Sequence, residues 1–143
     1  MKIKMSYKII GKYIKDLDFH IPNPKIFFSL SKDISSYKIN IDIKSNQIKQ
    51  NIIEVLTSLN LKPTKENSDK INTKIVLATL IEMKNQNIEK IEIERIVLVD
   101  VPTQIYGDIR KIFINLFESS GFKDIKINEK VDFNKLYEMR KSQ

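Results

Sequence analysis

No cysteine occurs anywhere in the 143 residues. Its absence excludes disulfides, thiol catalysis, iron–sulfur clusters and cysteine zinc sites, and it agrees with a reducing compartment such as the cytoplasm. Histidine occurs once, as His20. A transition metal would have to rely on carboxylates, which argues against zinc, so neither metal nor cofactor is expected. Glycine is nearly as scarce. Gly11, Gly107 and Gly121 are scattered, so neither G-x-G-x-x-G nor G-x-x-x-x-G-K-[ST] can be written, and no loop of those kinds cradles a phosphate. With three glycines and four prolines, no flexible or proline-rich linker divides the chain, and no internal repeat is visible. Residues 1–143 are therefore expected to form one domain. The longest aliphatic run, Ile96-Val97-Leu98-Val99, falls far short of the roughly 20 residues that span a bilayer. The opening MKIKMSYKII is basic but has neither the apolar stretch nor the cleavage site of a signal peptide, so a soluble protein without membrane insertion is expected.

What is present suffices for a core: 41% of the residues are hydrophobic, and one fold of this size buries about 68–70% of its unfolded surface. Twenty-five Lys and Arg against 18 Asp and Glu leave a formal charge of +7. Such a balance permits phosphate binding. Yet the lysines are dispersed rather than gathered into a stripe, and no RNP-type aromatic motif, zinc finger or Gly-x-x-Gly clamp accompanies them. A basic nucleic-acid-binding module is therefore the competing reading, and the main one has no nucleic-acid partner.

Period 2 dominates the first half of the chain, as in strands that show one face to a core. Between Tyr13 and Ile21, Tyr13, Leu17, Phe19 and Ile21 are predicted to share a face opposite Asp16, Asp18 and His20. Tyr37, Ile39, Ile41 and Ile43 alternate with Lys38, Asn40, Asp42 and Lys44. A third strand over 51–61 aligns Ile53, Val55, Leu59 and Leu61, and a polar turn follows from Pro63 to Lys70. The fourth, over 71–83, carries Ile75, Leu77, Ile81 and Met83 on one face and Val76, Ala78 and Leu80 on the other. A strand apolar on both faces needs cover on both. Either a helical layer or a second subunit supplies it, which makes Val76, Ala78 and Leu80 candidates for an oligomer interface.

After Ile88 the period changes: 88–99 has β-branched residues enough for a strand and charges at helical spacing, Glu89, Glu92 and Arg95, and of the two the helix is preferred. Thr103 is the expected N-cap of a helix over 104–119, with Ile105, Ile109, Ile112, Phe113 and Leu116 as its stripe and Gly121 as its stop. Asp132 is the expected cap of a last helix through Phe133, Leu136 and Met139. Four strands followed by helices make an α+β fold, with two main helices on one side of a four-stranded antiparallel sheet. Asp16 and Asp18, two apart on one strand face, suit an acid/base pair, so a small hydrolase is a third reading. A solvated strand face explains the same pair without chemistry. His20 has no serine elbow beside it, and no catalytic residue is assigned.

Tyr13-Ile14-Lys15-Asp16-Leu17-Asp18-Phe19-His20-Ile21-Pro22-Asn23-Pro24 resembles the opening of the SecB family of protein-export chaperones, Y-x-K-D-[IL]-S-F-E-x-P-N-x-P. Val131-Asp132-Phe133-Asn134-Lys135-Leu136-Tyr137 resembles that family's [VI]-[ND]-F-x-x-L-[YF] ending. Val101-Pro102 through Arg110 to Ser120-Gly121-Phe122 is similar to its C-P…[YF]-x-x-x-R…G-[GT]-F helix. Order and spacing agree in all three, and together they frame nearly the whole chain.

The resemblance implies a dimer of dimers, and with it a homotetramer. It also implies an ATP-independent holdase, not an enzyme, that keeps precursor proteins unfolded in the cytosol and passes them to the SecA motor. Candidates for a client groove are Ile26, Phe27 and Phe28, expected in the loop after Pro22-Asn23-Pro24, with Phe133, Leu136 and Tyr137 on the last helix. Asp16 falls on the acidic place that in this family helps dock SecA, and His20 occupies the motif's next acidic place. Gly107 stands where the family's long helix has a proline–aromatic start, so the chain is a divergent member. A SecB-like chaperone serving a toxin–antitoxin system is the alternative within the family.

Overall fold

A computed structural model describes residues 6–34, 37–62, 71–85, 87–123 and 125–141. The strands are β1 (Tyr7–His20), β2 (Lys38–Lys49), β3 (Ile52–Lys62) and β4 (Asn72–Met83), all antiparallel in the order β1-β4-β3-β2. The helices are α1 (Pro24–Asp33), α2 (Lys90–Arg95), α3 (Val101–Ser119) and α4 (Phe133–Lys141). The expected turn from Pro63 to Lys70 lies outside the described residues.

β2, β3 and β4 alternate as their sequences dictate. Ile39, Ile41, Ile43, Leu59, Leu61, Ile75 and Leu77 pack with Ile105, Ile109, Phe113 and Phe117 of α3 in the main core. A second cluster joins Tyr7, Val55, Ile81 and Met83 to Ile96, Val97 and Val101. β1 breaks its own alternation. Its register against β4 slips between Ile9 and Gly11 and again between Ile14 and Asp16. Each bulge inserts one unpaired residue and so exchanges the faces of everything beyond it. Tyr13, predicted to share a face with Leu17 and Phe19, is thus opposite Ala78 on the open face, while Phe19 meets the Phe117 ring on the helix side at 4.9 Å.

Residues 26–28, expected in a loop, belong to α1. The Asn23 side chain accepts from the Ile26 amide at 2.9 Å, and Pro24 sits in the first helical turn, where its missing N–H costs nothing. α2 runs through a wide π turn, Ile96–Asp100, directly into α3. Thr103 is consequently not a cap: its hydroxyl donates to the Val99 carbonyl at 2.6 Å, inside continuous helix. The wide turn puts Pro102, which cannot donate and crowds the carbonyl four residues back, where the regular ladder is already interrupted. α3 ends as expected. Gly121 has φ +93°, its N–H donates to the Glu118 carbonyl, and the Phe27 ring lies 3.4 Å from where a Cβ would stand.

Candidate functional site

β2 is an edge strand, so its outer backbone N–H and C=O groups have no strand partner among the described residues. Beneath its helix-facing side three clefts run end to end. The first, of about 360 Å³, lies among Ile34, Tyr37, Ile39, Ile41, Ile125 and Val131. The second, of about 190 Å³, shares Ile41 with it and adds Ile43, Leu98, Phe133, Leu136 and Tyr137. The third, of about 720 Å³, shares Ile43, Leu98 and Arg140 with the second and extends past Ile93 and Val97. Together they form a trough with an apolar floor and a bare strand edge along one wall.

Each wall has a local cause. Asp132 accepts from the Lys135 amide at 2.9 Å and starts α4 as its sequence predicts. Phe133 and Tyr137, one turn apart, are then buried, while Leu136 faces outward at 46% exposure and Met139 is exposed beside it. The segment before α4 is held to α3 by two residues of the resemblance, Tyr106 and Arg110. The Tyr106 hydroxyl donates to the Asn128 carbonyl at 2.7 Å, and Arg110 donates through Nε and Nη2 to the Ile127 carbonyl, both at 3.1 Å.

Of the six candidate groove residues, the fold brings Phe133, Leu136 and Tyr137 together in the second cleft. Ile26, Phe27 and Phe28 line none of the three. Phe27 packs on Phe122 at 4.9 Å near the end of α3, and Phe28 is 69% exposed on α1. Sequence reading missed Ile41, Ile43 and Leu98. The first two carried a readable signal, since they lie on the apolar face of a cleanly alternating strand. Leu98 carried none, because it joins the trough only through the fold.

Asp16, Asp18 and His20 are exposed on the opposite face of the sheet, in register with Val76, Lys74 and Asn72, and line none of the clefts. No group of three or more His, Asp or Glu able to hold a metal exists among the described residues. No described helix is long and apolar enough to cross a membrane. On the same open face, Glu54 of β3 accepts from the Tyr13 hydroxyl at 2.7 Å, from Lys15 Nζ at 3.1 Å to both oxygens, and from Asn46 Nδ2 at 3.3 Å. Tyr13 and Lys15 thereby reach across β4. This explains the doubly apolar strand: Val76 and Ala78 are only 7% and 0% exposed within one chain, and Leu80 is half-buried.

The Tyr13 hydrogen bond, with Lys15 and Asn46, holds the Glu54 carboxyl below its ordinary value of 4.5, against the opposing effect of burial. Its cover is one layer of side chains, so the carboxylate is dry without being deep. Because folding lowers this pKa, the unfolded chain takes up the proton first. Stability from Glu54 is whole above about pH 4.5 and drains away as pH falls through the folded value. Urea titrations of the wild type and Glu54→Gln between about pH 6 and pH 3 should show a gap that narrows on acidification. A pH-independent gap would refute the assignment.

Comparison with known proteins agrees with this architecture. Residues 2–143 match the profile of the family described as preprotein translocase subunit SecB. A Pelagibacter ubique (strain HTCC1062) protein, provisionally named protein-export protein SecB, is 39% identical over 135 residues, 94% of this chain and 96% of its own length. Protein-export protein SecB of Anaplasma phagocytophilum (strain HZ) is 24% identical over 143 residues, covering 92% of this chain and 90% of the relative. Among solved structures, a Mycobacterium tuberculosis SecB-like chaperone in complex with a ChAD peptide from an antitoxin superposes with a TM-score of 0.53 at 9% identity, over 86% of this chain and 91% of that one. At that identity the likeness speaks for the fold alone.

Proposed function

Since this chain belongs to the SecB family of protein-export chaperones, we propose that the trough beneath β2 is where it holds unfolded segments of precursor proteins. One observation carries the reading: an apolar floor open to solvent runs alongside an unpaired strand edge. An extended segment laid there pairs its backbone with β2 and buries alternate side chains. Burial returns about 25 cal/mol per Å² of apolar surface, with little demand on sequence. A protein that binds the unfolded chain in preference to the native one lowers its free energy and delays folding. Neither a phosphate loop nor turnover is needed, so the action is ATP-independent and not enzymatic.

The same reading includes transfer to the SecA motor in the cytoplasm, with Asp16 and His20 as docking residues. Both are exposed on the sheet face away from the trough, which leaves client and motor separate surfaces. It also includes self-assembly into a homotetramer, in which several troughs act on one client through effective concentration. Two surfaces are available for assembly. The face of Val76, Ala78 and Leu80 is mostly covered by its own chain, whereas the β1 edge bears exposed Ile10, Tyr13, Ile14 and Leu17. Unpaired edges with apolar side chains are ready templates for pairing with another chain.

Light scattering coupled to size exclusion, with and without a slow-folding precursor, tests the proposal. A tetramer that captures the denatured precursor and ignores the folded one is expected. A monomer indifferent to both forms would overturn the reading.

A further inference from the structure

The rim of the trough is unevenly charged. Lys126 borders the first cleft, Lys90 the third, and Arg140 both the second and the third, whereas Lys38, Asp42 and Lys44 of β2 alternate with Ile39, Ile41 and Ile43 and so belong to the other face of the sheet. Against these three cations the described helix-side lining sets one carboxylate, Glu94. None of the three forms an ion pair with a described residue; the three salt bridges among the described residues engage Lys8, Lys12 and Lys15. A second observation points the same way. Tyr137 lines the narrow cleft, and its buried hydroxyl has no hydrogen-bond partner. A buried O–H without an acceptor is costly, and an occupant that brings an acceptor relieves the cost. Lys141 Nζ, 5.1 Å from the centre of the same ring, adds a further positive charge at this end of α4.

We propose that the trough selects extended apolar segments bearing acidic side chains and discriminates against basic ones. The proposal rests on the reading of the trough as the client site and specifies its chemistry. Carboxylates flanking the apolar stretch meet Lys90, Lys126 and Arg140 at the rim, where opposite charges raise on-rates and affinity and like charges penalise the wrong occupant. The floor stays apolar, so hydrophobic content sets whether a segment binds and flanking charge sets which one binds best.

Three labelled peptides with one apolar core and glutamate, glutamine or lysine flanks, titrated by fluorescence anisotropy, separate the possibilities. At about 50 mM salt the glutamate peptide should bind roughly tenfold tighter than the lysine peptide, the sum of a few rim pairs. At about 500 mM salt the gap should shrink to roughly twofold, because exposed pairs are screened. The Lys90→Glu, Arg140→Glu double variant should invert the ranking. Equal affinity for all three peptides would overturn the charge selection while leaving the trough a client site. Failure of every peptide to bind would overturn both. Displacement of the glutamate peptide by single-stranded DNA as readily as by unlabelled peptide would overturn the proposal in favour of phosphate binding.

Discussion

Leu136→Asp should weaken capture of an unfolded precursor by roughly tenfold while leaving the fold intact. Leu136 is the right position because it lines the narrow cleft yet is 46% exposed, on the outer side of α4. A client that covers the rest of the side chain recovers about half of the roughly 1.5–3 kcal/mol that full burial of a leucine is worth. The aspartate forfeits that gain and must also be desolvated by the incoming segment. The loss comes to about 1.4 kcal/mol, or tenfold. The neighbouring Phe133 is unsuitable, since at 2% exposure an aspartate there would bury an unpaired charge and unfold the helix from the sheet. Urea midpoints should place Leu136→Asp within about 0.5 kcal/mol of wild type, as for other solvent-facing substitutions. Unchanged capture by a normally folded Leu136→Asp protein would remove the cleft from the client site.

Phe117→Ala should cost about 3–5 kcal/mol, a large fraction of the roughly 5–15 kcal/mol that holds a domain together. No other described side chain gathers as many rings. Phe117 is fully buried, with Phe19 of β1 at 4.9 Å, Phe113 of α3 at 5.2 Å and Phe122 beyond the helix end at 5.8 Å. Truncation leaves a cavity and strips cover from both the edge strand and the segment that leads to α4. Chemical denaturation should show a lower midpoint with an unchanged slope. Phe28→Ala, at a site 69% exposed, should cost less than about 1 kcal/mol by the same measurement. A loss below about 1 kcal/mol for Phe117→Ala would mean that the aromatic cluster is not the keystone of the helix–sheet interface.

The lining of the candidate trough was half legible. Phe133, Leu136 and Tyr137 could be found because their spacing follows an evident cap, Asp132, and an i, i+3, i+4 pattern is a local property. Which of them would be buried was not local: the stripe read as Phe133, Leu136 and Met139 proved to be the pair Phe133 and Tyr137, because the sheet meets α4 on that flank. Ile26, Phe27 and Phe28 were grouped with them on the strength of apolarity alone. They sit on α1 instead, and the Asn23-Pro24 pair that starts this helix was readable as a cap and first-turn proline.

Periodicity, caps and the positive φ of Gly121 are dictated within a few residues by sterics and by hydrogen bonds the backbone must make. For that reason the amino-acid order alone determined three of the strands closely, the C-terminal end of the long helix, the start of the last helix, and the layered α+β plan. Strand order was decided only when the chain closed on itself. So was the slip at Lys15 that turns Tyr13 toward Glu54, which hides the second face of β4 inside a single subunit. The trough belongs to the same class. Its walls come from residues as distant as Ile41, Leu98 and Leu136, and the space between them exists because helices of finite radius cannot follow a twisted edge strand along its whole length.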